Sequence, residues 1–157
     1  MLHYYYWLIP DHPHRAALQR TIDQFAQVYE GPRFVPHITI GSGMLIPEPP
    51  VLCAPIISFD SVQSEDNFFR SLYYTCAISK DLRALREALS KETSFHPHLS
   101  LVYGQHSAAR RRDWCSHLPL YAKEVCCSEL WVVQGGANIA DWKPIKKYTL
   151  NRESAKD

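Results

Sequence analysis

The chain has 157 residues, 46% of them hydrophobic and 21% charged, which fits one globular domain of ordinary composition and disfavours disorder, collagen-like repeats and coiled coil. With 17 Lys and Arg against 16 Asp and Glu, the net charge of +1 provides no basic excess for gripping a long nucleic-acid backbone, whereas a small or terminal anionic ligand is compatible with it. Five cysteines, Cys53, Cys76, Cys115, Cys126 and Cys127, are an odd number without CxxC spacing, so neither a disulfide framework nor a zinc ribbon is expected and a reducing, cytoplasmic setting is.

Residues 4 to 9 are aromatic and branched, the signature of a strand, and stop at Pro10 and Asp11, too soon and without the basic start of a signal peptide or membrane span. After His12-Pro13-His14, the stripe Leu18, Ile22, Phe25, Ala26, Tyr29 predicts a helix that ends at Gly31-Pro32. A second strand is expected over Phe34 to Ile40. Four prolines between Ile46 and Pro55 mark a surface connection, followed by a strand over 56 to 62. The second half repeats the order. Leu72, Tyr74, Cys76 and Ile78 alternate with polar or smaller neighbours as in a strand, and Leu82, Leu85 and Leu89 stripe a helix with Ser79 or Asp81 as its N-cap. Phe95 to Tyr103 then reads as a strand. A helix near 107 to 118, a strand near 125 to 134, a turn at Gly135-Gly136 and a strand near 144 to 150 complete a single domain over 1 to 150, with a polar tail at 151 to 157. The near-duplication predicts an α+β fold of two lobes related by a pseudo-two-fold axis.

Each half carries one Pro-His-apolar-hydroxyl sequence, Pro36-His37-Ile38-Thr39 and Pro97-His98-Leu99-Ser100. Residues i and i+2 of a strand share a face, so each imidazole gains a hydroxyl beside it while Ile38, Ile40, Leu99 and Leu101 turn to the core. Opposed across a groove, two imidazoles suit a reaction that removes one proton while delivering another. Hydrolysis of a cyclic phosphodiester has that requirement: attacking water loses a proton and the departing ribose oxygen gains one, while Thr39 and Ser100 hydroxyls donate to the non-bridging oxygens. A single His-x-Ser/Thr would be unremarkable among 8 histidines; two at matching places in a duplicated order are not.

Gly31-Pro32-Arg33-Phe34-Val35-Pro36-His37-Ile38-Thr39-Ile40, Phe68-Phe69-Arg70-Ser71-Leu72-Tyr73 and Pro97-His98-Leu99-Ser100-Leu101-Val102-Tyr103 resemble the cyclic phosphodiesterase branch of the 2H phosphoesterase superfamily, as found in plants and yeast, and Trp142 to Asn151 is similar to its closing strand. The resemblance implies a bilobal α+β fold, two pseudo-symmetric lobes with antiparallel sheets lining a central groove and helices outside, and cofactor-free, metal-independent hydrolysis of 2′,3′-cyclic nucleotides to 2′-phosphates, or of ADP-ribose 1″,2″-cyclic phosphate. It assigns His37 and His98 as the acid/base pair, His37 protonating the departing 3′ oxygen and His98 activating water, with Thr39 and Ser100 on the phosphate. Tyr103 matches a tyrosine that lines the site, which requires a bend or strand end after Val102. The cysteine pattern of those relatives is not reproduced, so their redox regulation is not implied.

Phe69, Tyr73 and Trp142 are candidates for contacts to a base or ribose, Phe69 at the rim. Arg33 is assigned to a surface carboxylate, with a second phosphate as its alternative. His96 and His98 with His12 or His14 could imitate a metal site, but no carboxylate or thiolate lies at a persuasive spacing and no metal is expected. Arg110-Arg111-Arg112 reads as a solvated helix face. The expected partner is a small cyclic phosphate, bound by a monomer away from membranes. Two rivals stand beside it: processing of RNA 2′,3′-cyclic ends or 2′-5′ linkages by the same superfamily, with RNA ends as partners, and a nucleotide-binding module without turnover.

Overall fold

The computed structural model describes residues 3–50, 52–89, 96–136 and 138–151. Strand β1 (Tyr4–Ile9) leads into helix α1 (His14–Tyr29), then β2 (Ile38–Gly43); after the proline-rich connection come β3 (Ile56–Ile57), β4 (Phe59–Gln63) and β5 (Leu72–Cys76). Helix α2 (Lys80–Leu89), β6 (His98–Val102), α3 (Ala108–His117), β7 (Val125–Cys126), β8 (Glu129–Gln134) and β9 (Lys143–Thr149) follow. Seven strands form an antiparallel array in the order β4-β5-β6-β2-β1-β8-β9, and β3 pairs separately with β7.

The duplication is visible in this order. The units β1-α1-β2 and β5-α2-β6 meet through β2 and β6, which pair only at Ile38 with Leu99 and Thr39 with His98. This short seam joins the two lobes, and both halves of the histidine motifs lie on it. Alternation directs the side chains as the sequence predicts: Tyr4, Tyr6 and Leu8 of β1, Ile38 and Ile40 of β2, and Leu99 and Leu101 of β6 enter the main core. On the other face Trp7, Ile9, Trp131 and Val133 form a smaller apolar cluster that Tyr5 and Trp142 join.

Helix α1 buries Leu18, Ile22 and Ala26, four residues apart, and ends where Glu30 adopts a left-handed φ of 55° and the Gly31 N–H returns to the Ala26 carbonyl. Ser79 caps α2, its Oγ accepting from the Leu82 N–H at 3.2 Å, and Leu82 and Leu85 are buried. Ser107 does the same for α3 through the Arg110 N–H.

The first motif strand starts late and two other expected strands divide, each for a local reason. The first motif strand begins at Ile38 and not Phe34, because Pro36 has no N–H and the Phe34 and Val35 carbonyls accept from Gln19 Nε2 and His37 Nδ1. Expected strand 56 to 62 breaks at Ser58, whose carbonyl takes the Ala77 N–H, so β3 and β4 enter different sheets. Expected strand 125 to 134 breaks at Ser128, whose N–H and Oγ both donate to Asp11 Oδ1, at 3.0 and 2.6 Å. Phe95 and residues 152–157 of the expected tail lie outside the described residues. Among the described residues no helix is long and apolar enough to cross a membrane.

Candidate active site

A cleft of about 240 Å³ opens on the face of the sheet opposite the main core, with His37, Thr39, His98 and Tyr103 on its walls. Both histidines are buried, His37 3% and His98 8% exposed. Each turns Nδ1 to the backbone carbonyl two residues earlier: His37 to Val35 at 2.7 Å, His98 to His96 at 3.2 Å. A carbonyl only accepts, so Nδ1 carries the hydrogen and Nε2 of the neutral ring is left for proton transfer. The repeated proline-histidine sequence thus produces a repeated tautomer.

The surroundings of the two rings differ. Trp7 stacks on His37 with centroids 3.6 Å apart at 18°, and the Tyr103 hydroxyl donates to His37 Nε2 over 3.2 Å. Burial drives the His37 pKa down to about 3, the bond to Val35 opposing this and the charge of His98 adding to it. His98 meets the edge of Tyr73, centroids 5.4 Å apart. Its pKa is also lowered, first by burial, with the bond to His96 and the charge of Glu65 pulling it up and Arg70 pulling it down. Both imidazoles are therefore neutral at pH 7 in the empty cleft.

Tyr103 sits one residue past the end of β6, just before Gly104 at φ 126°, which is the strand end its position requires. Its ring stacks on Phe34 at 3.9 Å. Phe69 and Trp142 both reach the cleft and stack on each other, centroids 5.3 Å apart at 25°. The Trp142 indole N–H donates to the Gly136 carbonyl at 2.9 Å. Gly135 is required here because a Cβ would run into the Tyr5 ring.

Two residues expected to contact the substrate have protein partners in the empty cleft. Tyr73 stands behind His98, its hydroxyl donating to Glu65 Oε1 at 3.2 Å, and is absent from the cleft wall. Ser100, expected on the phosphate, is 3% exposed and gives its hydroxyl hydrogen to the Phe69 carbonyl at 2.7 Å, so that donor is committed to the turn at Phe68–Arg70. Arg33 lies 3.9 Å from Asp23 and outside the cleft, the assignment to a surface carboxylate.

The sequence reading missed Tyr5, Trp7, Asn67 and Arg70, all of which line the cleft. For Trp7 a signal existed: with Tyr4, Tyr6 and Leu8 in the core, Tyr5 and Trp7 must face the other way. That Trp7 lies opposite Thr39 depends on a register with a bulge after Tyr6, which no local pattern announces. Among the described residues no group of three or more His, Cys, Asp or Glu is placed to hold a metal, and none of the five cysteines forms a disulfide.

No family model matches the sequence. A 2′,3′-cyclic-nucleotide 3′-phosphodiesterase of Phaeosphaeria nodorum is 32% identical over 128 residues, a match that covers 62% of this chain and 66% of that protein. Escherichia coli LigT, solved in complex with ATP, superposes with a TM-score of 0.62 over 96% of this chain and 99% of LigT at 12% identity. A protein of Thermus thermophilus superposes with a TM-score of 0.63 over 98% of this chain and 100% of its own at 14% identity. By sequence the chain is similar to the P. nodorum phosphodiesterase, and by fold to LigT. Its α+β fold matches that of LigT over nearly its whole length, with the antiparallel array continuous through the seam. The two motifs sit at equivalent places of the two lobes, at β2 and β6. The chain spans just under two thirds of the P. nodorum relative's length, with 66% covered.

Proposed function

We propose that this protein is a metal-independent cyclic phosphodiesterase that opens 2′,3′-cyclic nucleotides to nucleoside 2′-phosphates. The observation that carries this reading is the pair of buried, carbonyl-tethered imidazoles on one cleft, brought together by the β2–β6 seam. The name of the P. nodorum relative agrees with it. ADP-ribose 1″,2″-cyclic phosphate presents the same five-membered ring and is the second substrate proposed.

In the reaction His98, neutral at pH 7, accepts a proton from water as its oxygen bonds to phosphorus. The phosphorus–O3′ bond breaks and O3′ takes a proton from His37, leaving the 2′-phosphate. Exchange with solvent then returns the two rings to their starting states. His37 is neutral in the empty cleft, and the negative phosphate supplies what protonates it, since an adjacent anion raises an imidazole pKa. Thr39, half-buried on the cleft wall, donates its hydroxyl to a non-bridging oxygen, where charge grows in the transition state. Phe69 and Trp142 supply faces for the base or ribose. A cleft of about 240 Å³ suits a mononucleotide better than a polymer.

Phosphorus NMR of the protein with 2′,3′-cyclic AMP, in chelator, tests the proposal. Conversion to 2′-AMP is expected, reduced about 10²- to 10⁴-fold in both His37→Ala and His98→Ala. Undiminished turnover in either variant, or loss with chelator and rescue by zinc, would sink it. Tight nucleotide binding without turnover would support the binding-module reading instead.

A further inference from the structure

An anion entering this cleft needs a positive counterpart, and both imidazoles are neutral there at pH 7. Among the described residues on the wall, Arg70 is the only lysine or arginine. We propose that Arg70 binds the substrate's phosphate through its Nη groups, the cleft's fixed countercharge beside His98. This rests on the cyclic phosphodiester reading and adds a residue to it.

The geometry around Arg70 is that of a presented cation. Its Nε pairs with Glu65 Oε2 at 3.0 Å, and its side chain is 38% exposed on the cleft wall. The other oxygen of Glu65 accepts from the Tyr73 hydroxyl at 3.2 Å, so the carboxylate is held from two sides and turns the guanidinium. An arginine anchored through Nε keeps its Nη pair for a phosphate, the fork geometry that favours bidentate contact. Glu65 moderates the charge without cancelling it, because its side chain is 42% exposed and solvent screens that partner more than a ligand inside the cleft.

The short turn Phe68–Arg70 that carries the side chain is tied at every step. Asn67 Oδ1 accepts from the Phe69 N–H at 2.9 Å, and the Arg70 N–H donates to the Asn67 carbonyl at 3.1 Å. The Arg70 carbonyl accepts from the Glu65 N–H at 3.0 Å, and the Phe68 carbonyl from the Gly104 N–H at 2.8 Å. The remaining carbonyl of the turn, that of Phe69, is taken by Ser100. The hydroxyl of the second motif is thus a positioning group for Arg70, which does at this end of the phosphate what Thr39 does at the other.

The test measures binding of inorganic phosphate and of 2′-AMP by calorimetry, beside kcat and KM on 2′,3′-cyclic AMP, for the wild type, Arg70→Gln, Arg70→Lys and Glu65→Gln. Arg70→Gln should weaken both ligands about tenfold or more, flatten the salt dependence of binding, and lower kcat as well as raise KM, because charge on the phosphate increases in the transition state. Arg70→Lys should recover part of the affinity, and Glu65→Gln, which leaves the guanidinium in place, should keep or strengthen it. Wild-type affinity in Arg70→Gln overturns the proposal, as does an equal loss in Glu65→Gln, which would make the ion pair merely structural. A wild type that binds both anions but leaves the cyclic ring intact refutes the hydrolase reading and spares the Arg70 site. A wild type that binds neither anion refutes Arg70.

Discussion

The two histidine motifs occupy equivalent places on equivalent strands. Each imidazole is tethered by Nδ1 to the carbonyl two residues before it. Beyond that the two halves part. His37 lies under the stacked face of Trp7 with a phenol on its Nε2, so burial and the phenol both favour the neutral ring. His98 meets the edge of Tyr73 and has the Glu65–Arg70 pair nearby. Thr39 is left on the cleft, whereas Ser100 is turned into a backbone contact. The backbone repeats the motif and the neighbours differentiate it, which is how one duplicated unit can acquire an acid and a base with different duties.

That comparison is broken most directly by deleting the two hydroxyls. Thr39→Ala should reduce kcat/KM by about 2–4 kcal/mol of transition-state stabilisation, roughly 30- to 10³-fold. Ser100→Ala should cost less, about tenfold, with weaker phosphate binding, because its hydroxyl works through the turn that carries Arg70. Equal losses in kcat with unchanged phosphate affinity would mean that Ser100 swings from the Phe69 carbonyl to the phosphate and that the motifs act symmetrically. Circular dichroism melts of both variants separate this from unfolding.

The pH profile sharpens the same contrast. Both imidazole pKa values lie below 6.5 in the empty cleft, that of His37 near 3. One ring must be protonated and the other neutral, so kcat/KM, which reports the free enzyme, should peak below pH 6.5 and fall about tenfold per pH unit on the alkaline side. The profile of kcat reports the complex, where the phosphate raises His37, and its maximum should lie at higher pH. A kcat/KM optimum above pH 7.5 would show that burial does not control these rings.

The sequence made the two motifs legible because period-two alternation is local: Ile38 and Leu99 mark the core face, so His37, Thr39 and His98 must share the other. Tyr103 was placed by the resemblance and against alternation, which demanded the strand end found after Val102. What stayed hidden depends on contacts between segments far apart in the chain. Trp7 meets His37 through a bulged register between β1 and β2. Arg70 reaches the cleft because a three-residue turn is clamped to β6 by Ser100 and Gly104, and a run such as Phe68-Phe69-Arg70 carries no periodicity from which to read that. The division of two expected strands has the same origin, single polar groups such as Asp11 claiming a backbone N–H that a ladder would need.

The smallest expected effect belongs to Tyr103→Phe, which removes one hydroxyl and keeps the ring on Phe34. The hydroxyl donates to the neutral form of His37, so its loss leaves Nε2 as a buried acceptor and destabilises the fold by about 1–2 kcal/mol, read as a lower denaturation midpoint. It also removes a preference for the neutral ring, and the His37 pKa should rise from its value near 3. The alkaline limb of kcat/KM then moves to higher pH, with kcat changing only a few-fold because a phosphate-bound His37 no longer depends on the phenol. Histidine ring chemical shifts followed against pH would record that rise in the empty protein. A lowered pKa would reverse the sense of the hydrogen bond, making the phenol oxygen an acceptor from a protonated His37, and would assign the first motif a charged imidazole despite its burial.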